Sequence, residues 1–178
     1  MQKSQKVKNM KILVFSDSHG NNLNIIKAIK AHGNTVDYVF FLGDGIREFW
    51  NLKDSFKNTV FVGVRGNCDF DADFKDEVIL DISGVRFLLC HGHKYSVKRT
   101  LLKLDCYALE NSVDVALFGH THVRHNEYIP PSDIRKKGLY LFNPGTVSRG
   151  FMNDNSFGVI EITKNSEVIL SHGMISNL

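Results

Sequence analysis

Short apolar runs recur along the chain, and five of them end at residues whose side chains can bind a metal ion. A strand buried on both faces has a continuous run of Val, Ile, Leu and Phe, because neither face meets water. In open α/β sheets, ligands bind just beyond the carboxyl ends of such strands. The pattern therefore predicts that the strands bring polar side chains to one rim. The runs are ILVFS before Asp17, YVFFLG before Asp44, VFVGVRG before Asn67, FLLC before His91 and VALFG before His120.

The first part of the chain alternates strand and helix patterns. Continuous apolar runs predict strands, and apolar residues spaced three and four apart predict helices. This βαβα order is typical of the α/β class. The predicted strands are residues 11–16, 38–42 and 59–65, and the predicted helices are residues 23–31 and 46–56.

The pattern changes in the second part. A turn at Ser83-Gly84 predicts pairing of the strands on either side of it, and a helix is predicted over residues 97–111. The strands after this helix have no helices between them, so we predict that a second sheet packs on the first. The predicted strands are residues 78–82, 85–90, 115–118, 139–142, 157–162 and 168–171; the leucines predicted to face inward from the helix are Leu101, Leu102, Leu104 and Leu109; and residues 129–138 are predicted to form an exposed loop.

Length and composition indicate one folded domain. A chain of 178 residues with 43% hydrophobic content is long enough to bury a substantial core. We expect residues 10–178 to form a single domain and residues 1–9 to be a flexible extension, with Met10 as the natural start. A net charge of +3 is too small to indicate a nucleic-acid partner, because several lysines lie in the polar N-terminal segment.

The cysteines and the hydropathy pattern indicate a cytoplasmic protein. Cys68, Cys90 and Cys106 cannot all pair within the chain, and no CxxC spacing is present, so a reduced protein fits best. No stretch approaches the roughly 20 apolar residues that cross a bilayer, and we therefore expect no membrane association.

The side chains at the predicted rim indicate which metals could bind. Carboxylates, imidazoles and an amide oxygen without thiolate suit Mn, Fe or Zn, whereas Mg and Ca prefer mostly oxygen ligands. An aspartate shared by two ions would indicate a binuclear centre with the ions about 3.5–4 Å apart. Glycines adjoin several of these residues and let the backbone turn sharply. The candidates are Asp17, His19, Asp44, Asn67, His91, His120 and His122.

Five short motifs in order resemble the calcineurin-like metallophosphoesterases over about residues 11–150. They are Asp17-Ser18-His19, Gly43-Asp44, Gly66-Asn67-Cys68-Asp69, His91-Gly92-His93 and Gly119-His120-Thr121-His122. The stretch from Asn143 to Ser148 resembles the small YfcE-like and MJ0936-like branch of bacterial and archaeal phosphodiesterases, which is similar to the retromer subunit Vps29. The resemblance implies a four-layer α/β/β/α sandwich of two mixed β-sheets flanked by helices.

The resemblance also implies two divalent metal ions, with Mn²⁺ the first choice and Ni²⁺, Zn²⁺ or Fe as alternatives. Asp44 would bridge the ions, and a bridging hydroxide would attack phosphorus while both ions polarise the phosphoryl oxygens. The first ion is assigned to Asp17, His19, Asp44 and His122, and the second to Asp44, Asn67, His91 and His120.

One position departs from the wider family, in which a histidine follows the Gly-Asn pair and helps the leaving oxygen to depart. Here the pair is followed by Cys68 and Asp69. A thiol with an ordinary pKa near 8.5 is a poor general acid. Cys68 therefore favours substrates with good leaving groups, or another proton donor such as His93. The expected catalytic residues are Asn67, His91, Cys68, Asp69 and His93.

Three functions fit these residues. The first is a metal-dependent phosphodiesterase or phosphatase acting on a small phosphate ester, and the complete set of seven metal-binding side chains favours it. The second is a non-catalytic, Vps29-like protein-binding scaffold. The third is a nuclease, which the lack of an extended basic stripe with interleaved aromatic residues disfavours, so no nucleic-acid partner is expected. The resemblance is compatible with a homodimer or a homotetramer.

Substrate specificity is expected to come from three loops, residues 47–51, 71–76 and 123–133. Arg47, Arg65 and Arg149 could each bind phosphate or form a structural ion pair. The histidines outside the motifs, which are His32, His125 and His172, are interpreted as surface or packing residues.

Overall fold

The computed structural model describes residues 9–70, 73–148 and 154–178. Its helices are α1 (Leu23–His32), α2 (Ile46–Trp50) and α3 (Leu102–Glu110), with short 3₁₀ turns at Gly33–Thr35, Lys53–Ser55, His93–Tyr95 and Ile175–Asn177. Its strands are β1 (Met10–Phe15), β2 (Tyr38–Phe41), β3 (Val60–Gly63), β4 (Glu77–Ile82), β5 (Val85–Cys90), β6 (Val115–Leu117), β7 (His125–Ile129), β8 (Leu139–Asn143), β9 (Ser156–Ile162) and β10 (Val168–Met174).

The strands form two five-stranded sheets, ordered β10-β9-β1-β2-β3 and β4-β5-β6-β8-β7. In the first sheet β1, β2 and β3 are parallel, and β9 runs antiparallel to β1. In the second sheet β5, β6 and β8 are parallel, while β4 and β7 pair antiparallel at the two edges. Both sheets are mixed, which confirms the predicted α/β sandwich.

Three buried apolar clusters lie between the four layers of the fold, which are two sheets with helices on their outer faces. Alternate residues of a strand face opposite sides of its sheet. In β1, Val14 therefore lies in the cluster between the sheets, while Phe15 packs in the cluster under α1 and α2. A third cluster packs Leu104 of α3 on the outer face of the second sheet. Between the sheets the rings of Phe40 and Phe87 meet edge to face, with centroids 5.9 Å apart.

The strand pairing differs from the expected order in one respect. The second sheet was expected to begin after the last helix, but β4 and β5 already belong to it and precede α3. Strands β9 and β10, by contrast, belong to the first sheet, where β9 pairs with β1. An apolar strand has the same sequence pattern in either sheet, so the pattern does not reveal which strand is its neighbour. The pairing of β1 with β9, in which Lys11 lies opposite Glu161, is therefore seen only in the tertiary structure.

Strand β7 was missed, because the expected loop of residues 123–133 contains it. Asn126, Glu127 and Tyr128 are all exposed, and an edge strand with little burial lacks the apolar alternation that identifies strands. The predicted exposed loop of residues 129–138 is exposed over most of its length, but Arg135 is buried in an ion pair with Asp105 of α3.

The helix predicted over residues 97–111 is shorter than expected. Ser96 has a left-handed backbone (φ 57°), and α3 begins only at Leu102. Leu104 and Ala108 form its buried face, whereas Leu102 is exposed, so its predicted inward position was wrong. The helix predicted over residues 46–56 ends at Trp50 and is followed by a 3₁₀ turn.

Residues 1–8 of the expected N-terminal extension lie outside the described residues. In the part of the chain that is described, no helix has the length and apolar character needed to cross a bilayer.

Candidate metal centre

Five loops meet at one end of the sandwich, each following a strand of one of the two sheets. The loops after β1, β2 and β3 come from the first sheet, and those after β5 and β6 come from the second. Together they bring seven predicted side chains to one place. The loops carry Asp17 and His19, then Asp44, then Asn67, then His91, and finally His120 and His122.

Many of the ligand candidates have an unusual backbone conformation. Asp17, His19, Asp44, His120 and His122 all have a positive φ, between 45° and 68°. This left-handed region costs a non-glycine residue of order 1 kcal/mol or more. The rest of the fold must therefore hold these positions, as expected where a side chain has to point into a site immediately after a strand ends.

The first group of candidate ligands surrounds His122. Its Nε2 lies 3.1 Å from Oδ1 of Asp17 and 3.5 Å from Nε2 of His19. Asp17 is completely buried, whereas the two histidines reach solvent. This group lies at the open edge of the site.

The second group surrounds His91, which is buried. Its Nε2 lies 3.1 Å from Oδ1 of Asn67, 3.2 Å from Nδ1 of His120 and 3.5 Å from Oδ2 of Asp44. The same nitrogen lies 4.0 Å from Oδ1 of Asp17, which links the two groups.

These separations fit metal coordination. Two ligand atoms that are each about 2.1 Å from an ion are about 3.0 Å apart at right angles and about 3.4 Å apart in a tetrahedron. Asp17 Oδ1 is buried and makes no hydrogen bond of good geometry to any described residue, which is costly unless a cation compensates it. Ligand atoms of Asp17, Asp44 and His91 all lie within 4.8 Å of one another, as do those of Asp17, His19 and His122.

The hydrogen bonds of His91 prepare it as a ligand. Its Nδ1 lies 2.6 Å from the carbonyl oxygen of Leu42, so Nδ1 carries the proton and donates it. In the neutral ring the lone pair is then on Nε2, which faces the other candidate ligands. A second hydrogen bond of this kind typically fixes the ring of a metal-binding histidine.

The pKa values are also consistent with cation binding. Burial alone would raise the pKa of Asp17, but the nearby His122 and His91 hold it below its usual value. Burial and the neighbouring His91 lower the pKa of His120 to about 4, so its imidazole is neutral at pH 7 and has a lone pair available. The Asp17 carboxylate raises the pKa of His122.

Asp69 holds two of the loops together. Its two carboxylate oxygens accept hydrogen bonds from four backbone N–H groups, at distances of 2.7 to 3.1 Å. The donors are Asp44, Gly45, Ile46 and Gly66. The carboxylate therefore faces the backbone of the loops after β2 and β3, and also the first turn of α2.

Two glycines let those loops approach closely. A Cβ added to Gly66 would lie 2.1 Å from Oδ1 of Asp44 and 2.5 Å from its backbone nitrogen, so a side chain cannot fit. Gly43 has φ +92° and faces the Gly66 backbone. The glycines next to the predicted ligands are therefore needed for packing.

Cys68 and His93, which were predicted to take part in proton transfer, lie next to different candidate ligands. Cys68 is exposed, its backbone N–H donates to Oδ1 of Asp44 at 2.8 Å, and partial burial together with Asp44 raises its pKa. The ring of His93 lies 5.5 Å from that of His91, and burial lowers its pKa.

Several residues that support the site were not predicted from the sequence. Ser16 donates to Oδ2 of Asp17 at 2.6 Å, and Thr146 donates to the Asp17 carbonyl at 2.9 Å. Asn143 donates to the carbonyl of Gly119 at 2.9 Å. The polar residues at and after the end of the apolar strand β8 were the available signal, and they entered the prediction only through the family resemblance.

Arg65 forms an ion pair instead of facing the site. Its Nε and Nη2 donate to Asp76 at 2.8 and 3.1 Å, and Lys94 donates to the same carboxylate at 2.6 Å. The Arg65 guanidinium, and to a smaller extent the Lys94 ammonium, hold the pKa of the Asp76 carboxyl well below its usual range. This triad joins the loop that carries Asn67 to the turn that carries His93. Arg149, the other arginine considered for phosphate, lies outside the described residues.

An open cleft of about 460 Å³ extends from these side chains to the surface. Arg47 and Glu48 of α2 line one part of it, and Cys68, Asp69 and Phe70 line another. The cleft gives a small anionic molecule access to His19 and Asp44, which also line it.

Comparison with known proteins agrees with this geometry. Residues 10–165 match the calcineurin-like phosphoesterase superfamily domain. The chain is 34% identical over 138 residues to the probable metallophosphoesterase YsnB of Bacillus subtilis, covering 78% of this chain and 75% of the relative. It is 28% identical to the phosphodiesterase MJ0936 of Methanocaldococcus jannaschii, covering 90% of this chain and 99% of that protein.

Solved structures show the same fold. A predicted phosphoesterase from Streptococcus pneumoniae superimposes with a TM-score of 0.76 at 26% identity, covering 95% of this chain and 91% of that one. Vps29 from Entamoeba histolytica in complex with Zn²⁺ superimposes with a TM-score of 0.65 at 20% identity, covering 93% of this chain and 99% of that one. At that identity the second likeness concerns the fold alone.

Proposed function

The chain belongs to the calcineurin-like phosphoesterase superfamily, and on that premise we propose that it is a binuclear metal-dependent phosphodiesterase acting on a small phosphate ester. The observation that carries the proposal is the arrangement around His91 and His122. Seven side chains of metal-binding type converge there at separations suited to coordination, and Asp17 leaves a buried oxygen without a hydrogen bond.

Two groups of residues would hold the ions. Asp17, His19, Asp44 and His122 would bind the first, and Asp44, Asn67, His91 and His120 the second, with Asp44 shared between them. Bound divalent cations supply an activated water and polarise the phosphoryl oxygens. The mixed nitrogen and oxygen donors support Mn²⁺ as the preferred ion, with Ni²⁺, Zn²⁺ and Fe as alternatives.

The remaining residues would position the substrate and the leaving group. The Asn67 amide, whose oxygen lies 3.1 Å from His91 Nε2, can also donate a hydrogen bond to a phosphate oxygen. Cys68 or His93 would supply the proton for a leaving alkoxide, and Cys68 can do so only weakly. The four backbone hydrogen bonds to Asp69 support a positioning role for this residue.

A metal-restoration assay tests the reaction. Protein stripped with a chelator should not hydrolyse bis-(p-nitrophenyl) phosphate, and Mn²⁺ should restore hydrolysis more strongly than Mg²⁺, Ni²⁺ or Zn²⁺. The diester should be a better substrate than p-nitrophenyl phosphate. The control is Asp17→Asn, which should lose more than about 100-fold in kcat/KM, because it removes a candidate ligand. Equal activity in stripped and Mn²⁺-loaded protein would exclude the proposal.

A non-catalytic scaffold is the second candidate, because solved Vps29 structures have this same fold. Metal binding alone does not separate the two functions, since one of these Vps29 structures contains Zn²⁺. Metal-loaded protein that binds two ions but hydrolyses neither ester would support the scaffold. For the nuclease alternative, a salt titration of single-stranded DNA binding should give a shallow log–log slope.

We further propose that residues 10–178 act as one metallophosphoesterase domain in the cytoplasm. The cluster of buried residues shared by both sheets supports the single domain, and the unpaired cysteines among the described residues support the reducing compartment. The homodimer or homotetramer stays a prediction.

A further inference from the structure

Phe70 lies at the mouth of the cleft with its ring in water. Its side chain is 95% exposed, more than any other large apolar side chain among the described residues. An isolated exposed apolar residue needs no explanation by itself. Phe70 differs because it lines the same cleft as His19 and Asp44, both candidate metal ligands.

The backbone next to Phe70 is held in place. Asp69, the preceding residue, accepts the four backbone hydrogen bonds from the loops after β2 and β3. Those hydrogen bonds fix the backbone that leads into Phe70 relative to Asp44 and to helix α2, which carries Arg47. The ring is therefore presented from a fixed point beside the ligand side chains.

The phenylalanines elsewhere behave differently. Phe41 stacks on Phe49 with centroids 4.6 Å apart, and Phe40 packs on Phe87 across the two sheets. In the described parts of the chain, Phe70 takes part in no such ring contact. Both faces of its ring are therefore available to a ligand.

We propose that Phe70 stacks on the nucleobase of a small nucleoside phosphodiester whose phosphate lies at the metal-ligand side chains. This inference rests on the proposed function and names its substrate class. A nucleobase combines a flat π face, which suits an aromatic ring, with polar edges and ribose hydroxyls, which suit a charged wall.

The rest of the cleft favours this substrate over a lipid or a polynucleotide. Arg47 and Glu48 give the wall near Phe70 a charged character, which suits a ligand with polar edges better than an alkyl chain. The volume of about 460 Å³ falls within the roughly 300–1,000 Å³ that small-molecule sites occupy. The net charge of +3 is too small for the long basic track that a polynucleotide needs.

Two diesters with the same leaving group test the proposal in the Mn²⁺-loaded protein. They are the p-nitrophenyl ester of thymidine 5′-monophosphate and ethyl p-nitrophenyl phosphate. In both, water adds to phosphorus, the P–O bond to p-nitrophenolate breaks, and a proton is released. Because only the retained group differs, the ratio of the two kcat/KM values measures recognition of the nucleoside. We expect the thymidine ester to be favoured by about tenfold, as one stacked base contributes.

Phe70→Ala should abolish that preference through a higher KM for the thymidine ester, and should leave the ethyl ester within twofold. Phe70→Trp should keep the preference. Ile134→Ala, which removes another exposed apolar side chain that does not line the cleft, should change neither ester. The inference is wrong if the wild type does not favour the thymidine ester, or if Phe70→Ala slows both esters equally.

A binding measurement separates this inference from the proposed function. If neither ester is hydrolysed, the proposed function fails, and calorimetric titration with thymidine 5′-monophosphate then decides the role of Phe70. Binding that is about tenfold weaker in Phe70→Ala than in the wild type would support stacking. Equal affinity in the two proteins, or no binding to either, would overturn it.

Discussion

Cys68 occupies the position where the wider family has a histidine that helps the leaving oxygen to depart. Its backbone N–H donates to Oδ1 of Asp44 at 2.8 Å, and a substitution keeps this bond, so the loop geometry should survive one. The raised pKa keeps the thiol protonated at neutral pH, but a thiol with a high pKa is a weak acid for a leaving alkoxide. Proton donation is therefore the step at which a histidine would improve the enzyme.

We expect Cys68→His to raise turnover of alkyl phosphate esters by roughly tenfold, because an imidazolium is a far better proton donor near pH 7. Aryl esters such as bis-(p-nitrophenyl) phosphate should change little, since p-nitrophenolate leaves without a proton. Steady-state kinetics on both classes measures the ratio. Cys68→Ala is the control and should leave the ratio as in the wild type. An unchanged ratio in Cys68→His would show that the proton comes from elsewhere.

The loops that follow the strands are connected to one another through carboxylates. Asp69 joins the loops after β2 and β3 through backbone N–H groups, and Asp76 joins Arg65 to Lys94. On another side, Glu77 at the start of β4 accepts hydrogen bonds from the hydroxyls of Tyr95 and Tyr107. The candidate metal ligands therefore lie on loops that carboxylates connect at three positions.

We expect Asp76→Asn to lower the free energy of unfolding at pH 7 by about 1 kcal/mol, the order for a partly exposed ion-pair network. The pKa of Asp76 is lowered in the folded protein, so its contribution is complete above the ordinary value of 3.8. It declines as the pH falls below that value towards the lowered one. Urea unfolding of both proteins at pH 7, 5 and 3 should therefore show a difference that is equal at pH 7 and 5 and smaller at pH 3.

Asp81→Asn serves as the comparison for that experiment. Asp81 also pairs with an arginine, Arg86, but its side chain is 62% exposed, compared with 24% for Asp76. Its substitution should change the stability by less than about 0.5 kcal/mol. A pH-independent difference for Asp76→Asn would mean that the ion pair does not stabilise the fold.

The molecule as a whole brings two carboxylates from the first sheet and a histidine from the second to one end of the sandwich. Asp17 and Asp44 are both buried there, and His91 lies between them. Burying two carboxylates so close together costs free energy unless a positive charge compensates them. A divalent cation does this better than a histidine, and the metal should therefore stabilise the folded state.

We expect removal of metal by a chelator to lower the melting temperature by about 5–10 °C, measured by calorimetry. An ion present at 100 times its dissociation constant stabilises the fold by about 2.7 kcal/mol, and 1 kcal/mol shifts the melting temperature by about 2–4 °C for a protein of this size. Mn²⁺ should reverse the loss. Asp17→Asn should show a smaller metal-dependent shift, because it lacks one ligand. Identical melting with and without metal would argue against an ion at this site.

The sequence by itself determined which residues could carry the chemistry and roughly where each strand ends. Continuous apolar runs followed by Asp, Asn or His are local features, since a buried strand must be apolar and a metal ligand must be polar. The βαβα start and the second packed sheet followed from the same patterns, whereas the four-layer sandwich followed from the family resemblance. The fully exposed Phe70, by contrast, has no local signal, because a phenylalanine is usually core material.

Only the tertiary structure decided which strands pair and what the polar side chains contact. That β9 lies beside β1, and that the polar strand β7 exists at all, depend on partners distant in sequence. Asp69 was predicted to be catalytic from its motif alone, and only the structure shows that its oxygens accept hydrogen bonds from backbone N–H groups of another loop. The sequence fixes the type of each side chain. The direction in which a side chain points and its distance from other side chains depend on how separate loops pack together, and a local sequence pattern contains no information about that packing.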